Sequence, residues 1–159
     1  MTGNLEALTL RAIAAILSFG VMVLCIAIHY EVLRVLSRIL ARYLHALRIK
    51  IITMILGIIF LHLLEILIFA VAFMVMDGKP YMGYLKGLEG GYLDYVYFSL
   101  VTYTTVGYGD IVPVGHMRFL TAVEALGGIV LIAWSAAYTF LKMHRLWGQD
   151  DILDDDDRQ

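Results

Sequence analysis

The feature that most constrains this chain is the seven-residue stretch at positions 104–110, Thr-Thr-Val-Gly-Tyr-Gly-Asp, which lies between two strongly apolar segments. Consecutive backbone carbonyls can point the same way only if alternate residues adopt dihedral angles that a Cβ disfavours, and Gly107 and Gly109 tolerate such angles. Carbonyl oxygens aligned in this way can replace the hydration water of a cation, and the Thr105 hydroxyl offers one further oxygen. One such strand cannot surround an ion but four can, so the stretch predicts a symmetric tetramer.

Residues 104–110 resemble the signature sequence of potassium channels, and residues 97–103 before them resemble the pore helix of that family. A looser similarity extends over residues 51–143. The resemblance implies a homotetramer that conducts K⁺ passively through a selectivity filter, with K⁺ as the permeant ion and no cofactor. The implied filter residues are Thr105, Val106, Gly107, Tyr108 and Gly109, with K⁺ bound at the first four.

The composition is that of a membrane protein. Hydrophobic residues make up 61% of the 159 residues and the mean hydropathy is +0.81, whereas a soluble protein is roughly half apolar. Apolar segments long enough to cross a bilayer as helices lie within residues 1–30, 51–76 and 116–143. We therefore predict an all-α membrane protein with three transmembrane helices, a re-entrant pore helix at Tyr92–Tyr103 and a filter loop, in the tetrameric potassium-channel architecture.

The predicted domain organisation has four parts. Residues 1–30 form an N-terminal transmembrane helix, and residues 31–50 form a basic amphipathic helix on the cytoplasmic membrane surface. Residues 51–145 form the pore domain. Residues 146–159, which carry six aspartates, form a disordered acidic tail.

Three arginines follow the first apolar run at four-residue spacing, Arg34, Arg38 and Arg42. The preferred interpretation is that they contact anionic lipid headgroups. A voltage sensor would need arginines inside the apolar span, and these lie after it; mechanical coupling to a gate stays open. The positive-inside rule puts this segment and the C-terminus in the cytoplasm and the N-terminus outside, across a plasma membrane or bacterial inner membrane.

Two polar residues interrupt the second apolar segment, His62 and Glu65, which lie three apart on one helix face. Glu65 either senses protons and controls the pore, or forms hydrogen bonds that join its helix to the pore helix or the inner helix. His62 is expected to contact a polar group rather than a metal, because no second ligand lies at a suitable spacing. Glu124 in the last helix is likewise expected to form a structural hydrogen bond, with gating as the alternative.

The last helix carries further candidates for gating. Gly127 and Gly128 lie where many potassium channels have a glycine hinge, and close helix packing at small residues is the alternative. Ile132, Ala136 and Phe140 repeat every four residues and could line the pore, where a ring of Phe140 side chains could gate by dewetting.

The filter also needs support at its outer end. Some bacterial channels have a pore-helix glutamate that pairs with the filter aspartate, but the matching residue here is Val101. The resemblance therefore implies that Tyr97 is the partner of Asp110.

Two other functions remain open from the sequence: a less selective cation channel, and a non-conducting membrane subunit that regulates a partner. An enzyme is not expected, because no nucleophile–base set lies outside the apolar segments and no loop is suited to phosphate binding. No nucleic-acid binding is expected either.

Overall fold

The computed structural model describes residues 2–42, 46–79 and 81–156, with side chains described for residues 8–42, 46–79 and 81–146. In chain order its elements are α1 (Thr2–Arg42), α2 (Leu47–Met76), β1 (Tyr84–Lys86), α3 (Tyr92–Tyr103), β2 (Val112–Val114) and α4 (Met117–Asp156). Three stretches are long and apolar enough to cross a membrane: Leu8–Arg42, Leu47–Met76 and Met117–Leu146. The predicted all-α membrane fold with three spanning helices is therefore confirmed, and the short helix α3 has the bounds expected from the sequence.

The separate surface helix predicted over residues 31–50 is not present as such. Helix α1 continues without a break to Arg42, and α2 already begins at Leu47, while residues 43–45 lie outside the described part of the chain. The apolar stripe on the end of α1 packs against α2 instead of lying on lipid. This contact is one cluster of buried side chains, Leu33, Leu36, Leu40, Met54, Ile58 and Leu61.

The disordered tail predicted over residues 146–159 also differs from the structure. Helix α4 continues as far as Asp156, and residues 157–159 lie outside the described residues. Residues 146–156 contain one glycine and no proline, so nothing in this stretch forces the helix to stop. The aspartates indicated an unstructured tail by their charge, but charge alone does not end a helix.

Helix α3 lies among the spanning helices and packs against both α2 and α4. Its Phe98 ring meets Phe73 of α2 edge to face, with ring centroids 4.9 Å apart. Met117 and Leu120 of α4 and Cys25 of α1 belong to the same buried cluster. Because α1 contributes to this cluster, it is part of the same core as the other helices.

A short antiparallel ribbon brackets α3 and the segment that follows it. Strand β1 pairs with β2 so that Leu85 lies opposite Pro113. Asp77, at the end of α2, accepts hydrogen bonds from the Leu85 amide at 2.9 Å and from the Tyr95 hydroxyl at 2.7 Å. The carboxylate of Asp77 thus connects α2 to the ribbon and to α3.

Candidate functional site

Along residues 104–110 the sign of the backbone φ angle alternates from one residue to the next, which is rare in proteins. Thr105, Gly107 and Gly109 have φ angles of 61°, 53° and 83°, while neither Val106 nor Tyr108 has a positive φ. A threonine in this left-handed region is strained, and such strain persists only where the surroundings impose it. Alternation of this kind is what successive carbonyls need in order to face one side of a strand.

The inner end of this segment is attached to the last turn of α3. The Thr105 amide donates to the Thr102 carbonyl at 2.9 Å, and the Gly107 amide donates to the Val101 carbonyl at 3.1 Å. The Thr104 hydroxyl donates to the Leu100 carbonyl at 2.7 Å. Three consecutive carbonyls of α3 therefore hold the start of the segment.

The outer end is attached to α3 through side chains. The Tyr97 hydroxyl donates a hydrogen bond of 2.7 Å to Asp110 Oδ2, the pairing expected from the sequence. This hydrogen bond is the main reason that the pKa of the Asp110 carboxyl lies below its ordinary value. Val101 is buried and apolar, so it contributes no hydrogen bond to this end of the segment.

The start of α3 is held by a carboxylate as well. Asp94 accepts hydrogen bonds from the amides of Gly91, Glu89 and Gly90 at 3.2, 2.8 and 3.0 Å, and these lower the pKa of its carboxyl, the Gly91 contact most. A negative charge at this position also complements the positive end of the helix dipole. The dipole leaves partial negative charge at the opposite end of α3, directly before Thr104.

In one subunit the segment is open on one side. Every residue from position 104 to 110 is exposed, Tyr108 to 73% and Val106 to 52%. Polar backbone groups near spanning helices must be covered by protein or must line a water-filled path, because lipid cannot satisfy them. A single subunit does not provide that cover, and further copies of the chain can.

Glu65 lies at the centre of a buried polar network beneath the segment. Its Oε2 atom accepts a hydrogen bond of 2.5 Å from the Tyr103 hydroxyl and lies 3.1 Å from His62 Nδ1. Its Oε1 atom lies 2.8 Å from His29 Nδ1. The network joins α1, α2 and α3, as the hydrogen-bonding interpretation of Glu65 expected for the pore helix. Whether Glu65 also senses protons remains a prediction.

His29 was missed by the sequence reasoning. It is fully buried, its Nε2 atom lies 3.3 Å from Ser135 Oγ of α4, and its ring lies 5.1 Å from that of Trp134. His62 has no second ligand at a suitable spacing along its own helix, but His29 of a different helix lies close to it, and one-helix spacing cannot reveal such a neighbour. A histidine at the end of an uninterrupted apolar run was the available signal.

Glu124 joins α4 to α3. Its Oε1 atom lies 2.5 Å from Ser99 Oγ, which is also 2.8 Å from the Ile66 carbonyl of α2, and its Oε2 atom has no partner among the described residues. The Ser99 hydroxyl has a single proton, so it cannot donate fully to both the Glu124 carboxyl and the Ile66 carbonyl. The structural hydrogen bond predicted for Glu124 is present, and a gating role remains a prediction.

The structure favours close packing over a hinge at Gly128. Helix α4 continues through Gly127 and Gly128, and a Cβ added to Gly128 would lie 2.0 Å from the Tyr103 carbonyl oxygen. Further along α4, Phe140 is 68% exposed in one subunit and lines a hollow of about 480 Å³ with Ile132 and His62. A gate formed by Phe140 remains a prediction.

One comparison with known proteins identifies the family. A family model described as "Ion channel" matches residues 61–144, which is more than half of the chain. The match covers half of α2, all of α3, residues 104–110 and α4 as far as His144. No curated protein and no solved structure matches the chain. With three spanning helices and this match over its central region, the chain is a membrane protein that belongs to the ion channel family.

Proposed function

We propose that this ion channel is selective for potassium, and that four identical subunits place residues 105–109 around one axis. The observation that carries the proposal is the alternation of positive φ angles at Thr105, Gly107 and Gly109 in a segment that is open on one side. Four such segments would enclose a path lined by backbone oxygens. A K⁺ ion entering that path exchanges its water shell for those oxygens.

The contacts of the segment support a filter of fixed width. The inner end is hydrogen-bonded to α3 at Thr105 and Gly107, and the outer end at Asp110. Val106 and Tyr108 are exposed in one subunit, so their side chains are available to pack against a neighbouring subunit. With its ends fixed, the segment keeps its oxygens close to one spacing, which favours one ion over a smaller one.

The ion moves passively down its electrochemical gradient, and no covalent chemistry is needed. The C-terminal end of α3 carries partial negative charge directly before Thr104, which favours a cation at the inner end of the filter. Asp94 at the opposite end of α3 keeps that helix end hydrogen-bonded.

The orientation follows from charge. Arg34, Arg38 and Arg42 are exposed near the end of α1, and Lys142 and Arg145 lie near the end of the span of α4. The positive-inside rule assigns both regions to the cytoplasm, with the N-terminus outside and anionic lipid headgroups against the arginines of α1.

The test is ion flux into liposomes that contain the purified protein. We expect K⁺ uptake to exceed Na⁺ uptake strongly, and native mass spectrometry to show four chains per channel. In Gly107→Ala the K⁺ preference should be lost, because alanine disfavours the φ of 53° by about 1–2 kcal/mol in each subunit.

The matched control is Gly78→Ala, since Gly78 also has a positive φ (66°) with no atom within 4 Å of an added Cβ, but lies at the end of α2. This variant should keep the K⁺ preference. Equal uptake of Na⁺ and K⁺ by the unmodified protein would indicate a less selective cation channel, and no uptake from correctly assembled protein would indicate a non-conducting subunit. Either result contradicts the proposal.

A further inference from the structure

Three side chains with metal-binding atoms meet where α1 and α2 approach the end of α3. His29, His62 and Glu65 each offer one ligand atom, and these atoms all lie within 4.8 Å of one another. Two imidazoles and one carboxylate form the donor set of zinc sites that keep one coordination position open. We propose that this cluster binds a divalent transition-metal ion of the zinc class.

The two separations between the imidazoles and the carboxylate fit a tetrahedral site after a small adjustment. Zinc–nitrogen and zinc–oxygen distances of about 2.0–2.2 Å put neighbouring ligand atoms roughly 3.3 Å apart. The observed separations are 2.8 Å between His29 Nδ1 and Glu65 Oε1, and 3.1 Å between His62 Nδ1 and Glu65 Oε2. Each imidazole approaches a different oxygen of the same carboxylate. To admit the ion, the carboxylate would move outward by a few tenths of an ångström, and the two imidazole nitrogens, which lie within 4.8 Å of each other, would adjust to the same separation.

The fourth position has a donor nearby. The Tyr103 hydroxyl lies 2.9 Å from His62 Nδ1 and 2.5 Å from Glu65 Oε2. An ion bound to Glu65 Oε2 takes the place of the hydrogen bond from Tyr103, whose hydroxyl keeps its proton and turns it away from the carboxylate. The hydroxyl oxygen can then complete the coordination, or a water molecule can.

His29 also has a hydrogen-bond partner for its second ring nitrogen, as metal-binding histidines usually do. For Nδ1 of His29 to bind a metal, the proton of the neutral ring must lie on Nε2, and Ser135 Oγ is 3.3 Å from that atom. The Ser135 hydroxyl oxygen can therefore accept a hydrogen bond from Nε2–H, which fixes the ring with Nδ1 directed at the cluster. In the absence of an ion the same side chains form hydrogen bonds with one another, so metal binding must compete with those bonds.

The cluster has an entry path as well as a donor set. Glu65 and His29 are fully buried, but the His62 side chain is 17% exposed and borders the hollow of about 480 Å³ between α2 and α4. An ion could enter through this hollow and reach His62 first. It would then lie against Tyr103, the residue directly before Thr104, and would connect α1 to the residues that begin the 104–110 segment.

The test is metal binding to the purified channel, prepared without a polyhistidine tag. Equilibrium dialysis against Zn²⁺ is expected to give one tightly bound ion per subunit, and Co²⁺ is expected to give the strong visible absorption of a four-coordinate site. Binding should weaken more than about 100-fold in His62→Gln and His29→Gln, which remove ligands, and about 10-fold in Ser135→Ala, which removes an outer partner. The matched control is His116→Gln, in the turn between β2 and α4, which should bind as tightly as the unmodified protein.

Several results would overturn the proposal. These are no saturable zinc binding by the unmodified channel, an octahedral Co²⁺ spectrum, or equal affinity in His62→Gln and His116→Gln. If His29→Gln does not fold, Ser135→Ala and the Co²⁺ spectrum of the unmodified protein still decide the question. All of these measurements are independent of ion selectivity, so their failure would leave the proposed function unaffected.

Discussion

The Tyr97 hydroxyl donates a 2.7 Å hydrogen bond to Asp110, so a residue in the second turn of α3 is joined to the far end of the segment that follows this helix. The near end of the same segment is bonded to the last turn of α3 at Thr105. Both ends of the proposed filter are therefore set by one short helix. A substitution that removes the hydrogen bond at either end should alter ion selectivity more than it alters the fold.

Replacing the donor at the outer end tests this relationship. In Tyr97→Phe the ring stays and the hydroxyl is lost, so Asp110 loses its side-chain partner and the outer end of the segment gains freedom. We expect the K⁺/Na⁺ permeability ratio, measured from single-channel reversal potentials, to fall several-fold while the tetramer still assembles. Tyr92→Phe is the control, because Tyr92 is on the same helix and its hydroxyl makes no hydrogen bond with the described residues. An unchanged ratio in Tyr97→Phe would show that this bond does not support the filter.

The same pair predicts a pH dependence at the outer mouth. The hydrogen bond from Tyr97 keeps the pKa of Asp110 below its ordinary value of 3.8, so its stabilising effect is complete above that value. It is lost as the pH falls through the lowered pKa of the folded protein. Titration of Asp110 should therefore have no effect on the K⁺ current as the external pH is lowered to about 5.

The Tyr97→Phe variant supplies the comparison. Without the donor, the pKa of Asp110 should return toward its ordinary value, and acid inhibition of the current should begin at a higher pH than in the unmodified channel. A midpoint of inhibition that is the same in both proteins would assign the effect to another group.

Close packing at Gly128 predicts a loss of stability. A Cβ there would lie 2.0 Å from the Tyr103 carbonyl oxygen, and backbone cannot move away as easily as a side chain can. We expect Gly128→Ala to lower the free energy of unfolding by about 3 kcal/mol, the upper part of the range for overpacking. Thermal unfolding in detergent, followed by circular dichroism, measures this.

Gly127→Ala is the matched control for that substitution. Its added Cβ would meet the terminal methyl of Met22 at 2.4 Å, and this flexible side chain can rotate away. Alanine also favours a helix over glycine by about 0.5–1 kcal/mol, so the net change should be close to zero. Equal losses in the two variants would favour the hinge interpretation over packing.

The contact between Ser99 and Glu124 predicts a difference between two variants. Ser99→Ala leaves both oxygens of Glu124 buried without a partner, which costs about 1–3 kcal/mol of stability. Glu124→Gln keeps an acceptor and adds a donor that can reach Ser99, so it should cost less. Thermal unfolding of the two variants under one condition provides the comparison. A larger loss in Glu124→Gln would indicate that the carboxylate charge itself is needed.

The sequence was most informative about features that depend on the type of a few local residues. Gly107 and Gly109 predicted the positive φ angles, and the apolar runs predicted three spanning helices, because backbone conformation and membrane insertion depend on local residues. The Tyr97 and Asp110 pair was also predictable, since both residues belong to one short stretch that resembles potassium channels.

The sequence failed where distant segments meet. His29 contacts Glu65, 36 residues later, and Ser135, 106 residues later, and no spacing rule for a single helix brings these together. The stripe containing Leu36 and Leu40 was assigned to the membrane surface, because an amphipathic pattern does not reveal whether lipid or a neighbouring helix covers it. The ribbon of β1 and β2 has three residues in each strand, too few for a period to be read.

The central claim is that backbone oxygens of residues 105–109 select potassium, and the reversal potential of the purified channel in a planar bilayer tests it most directly. With a tenfold K⁺ gradient balanced by an opposite Na⁺ gradient, the account predicts a reversal potential near the K⁺ equilibrium value, about 59 mV from zero. A reversal potential near zero, with current carried equally by both ions, would contradict it.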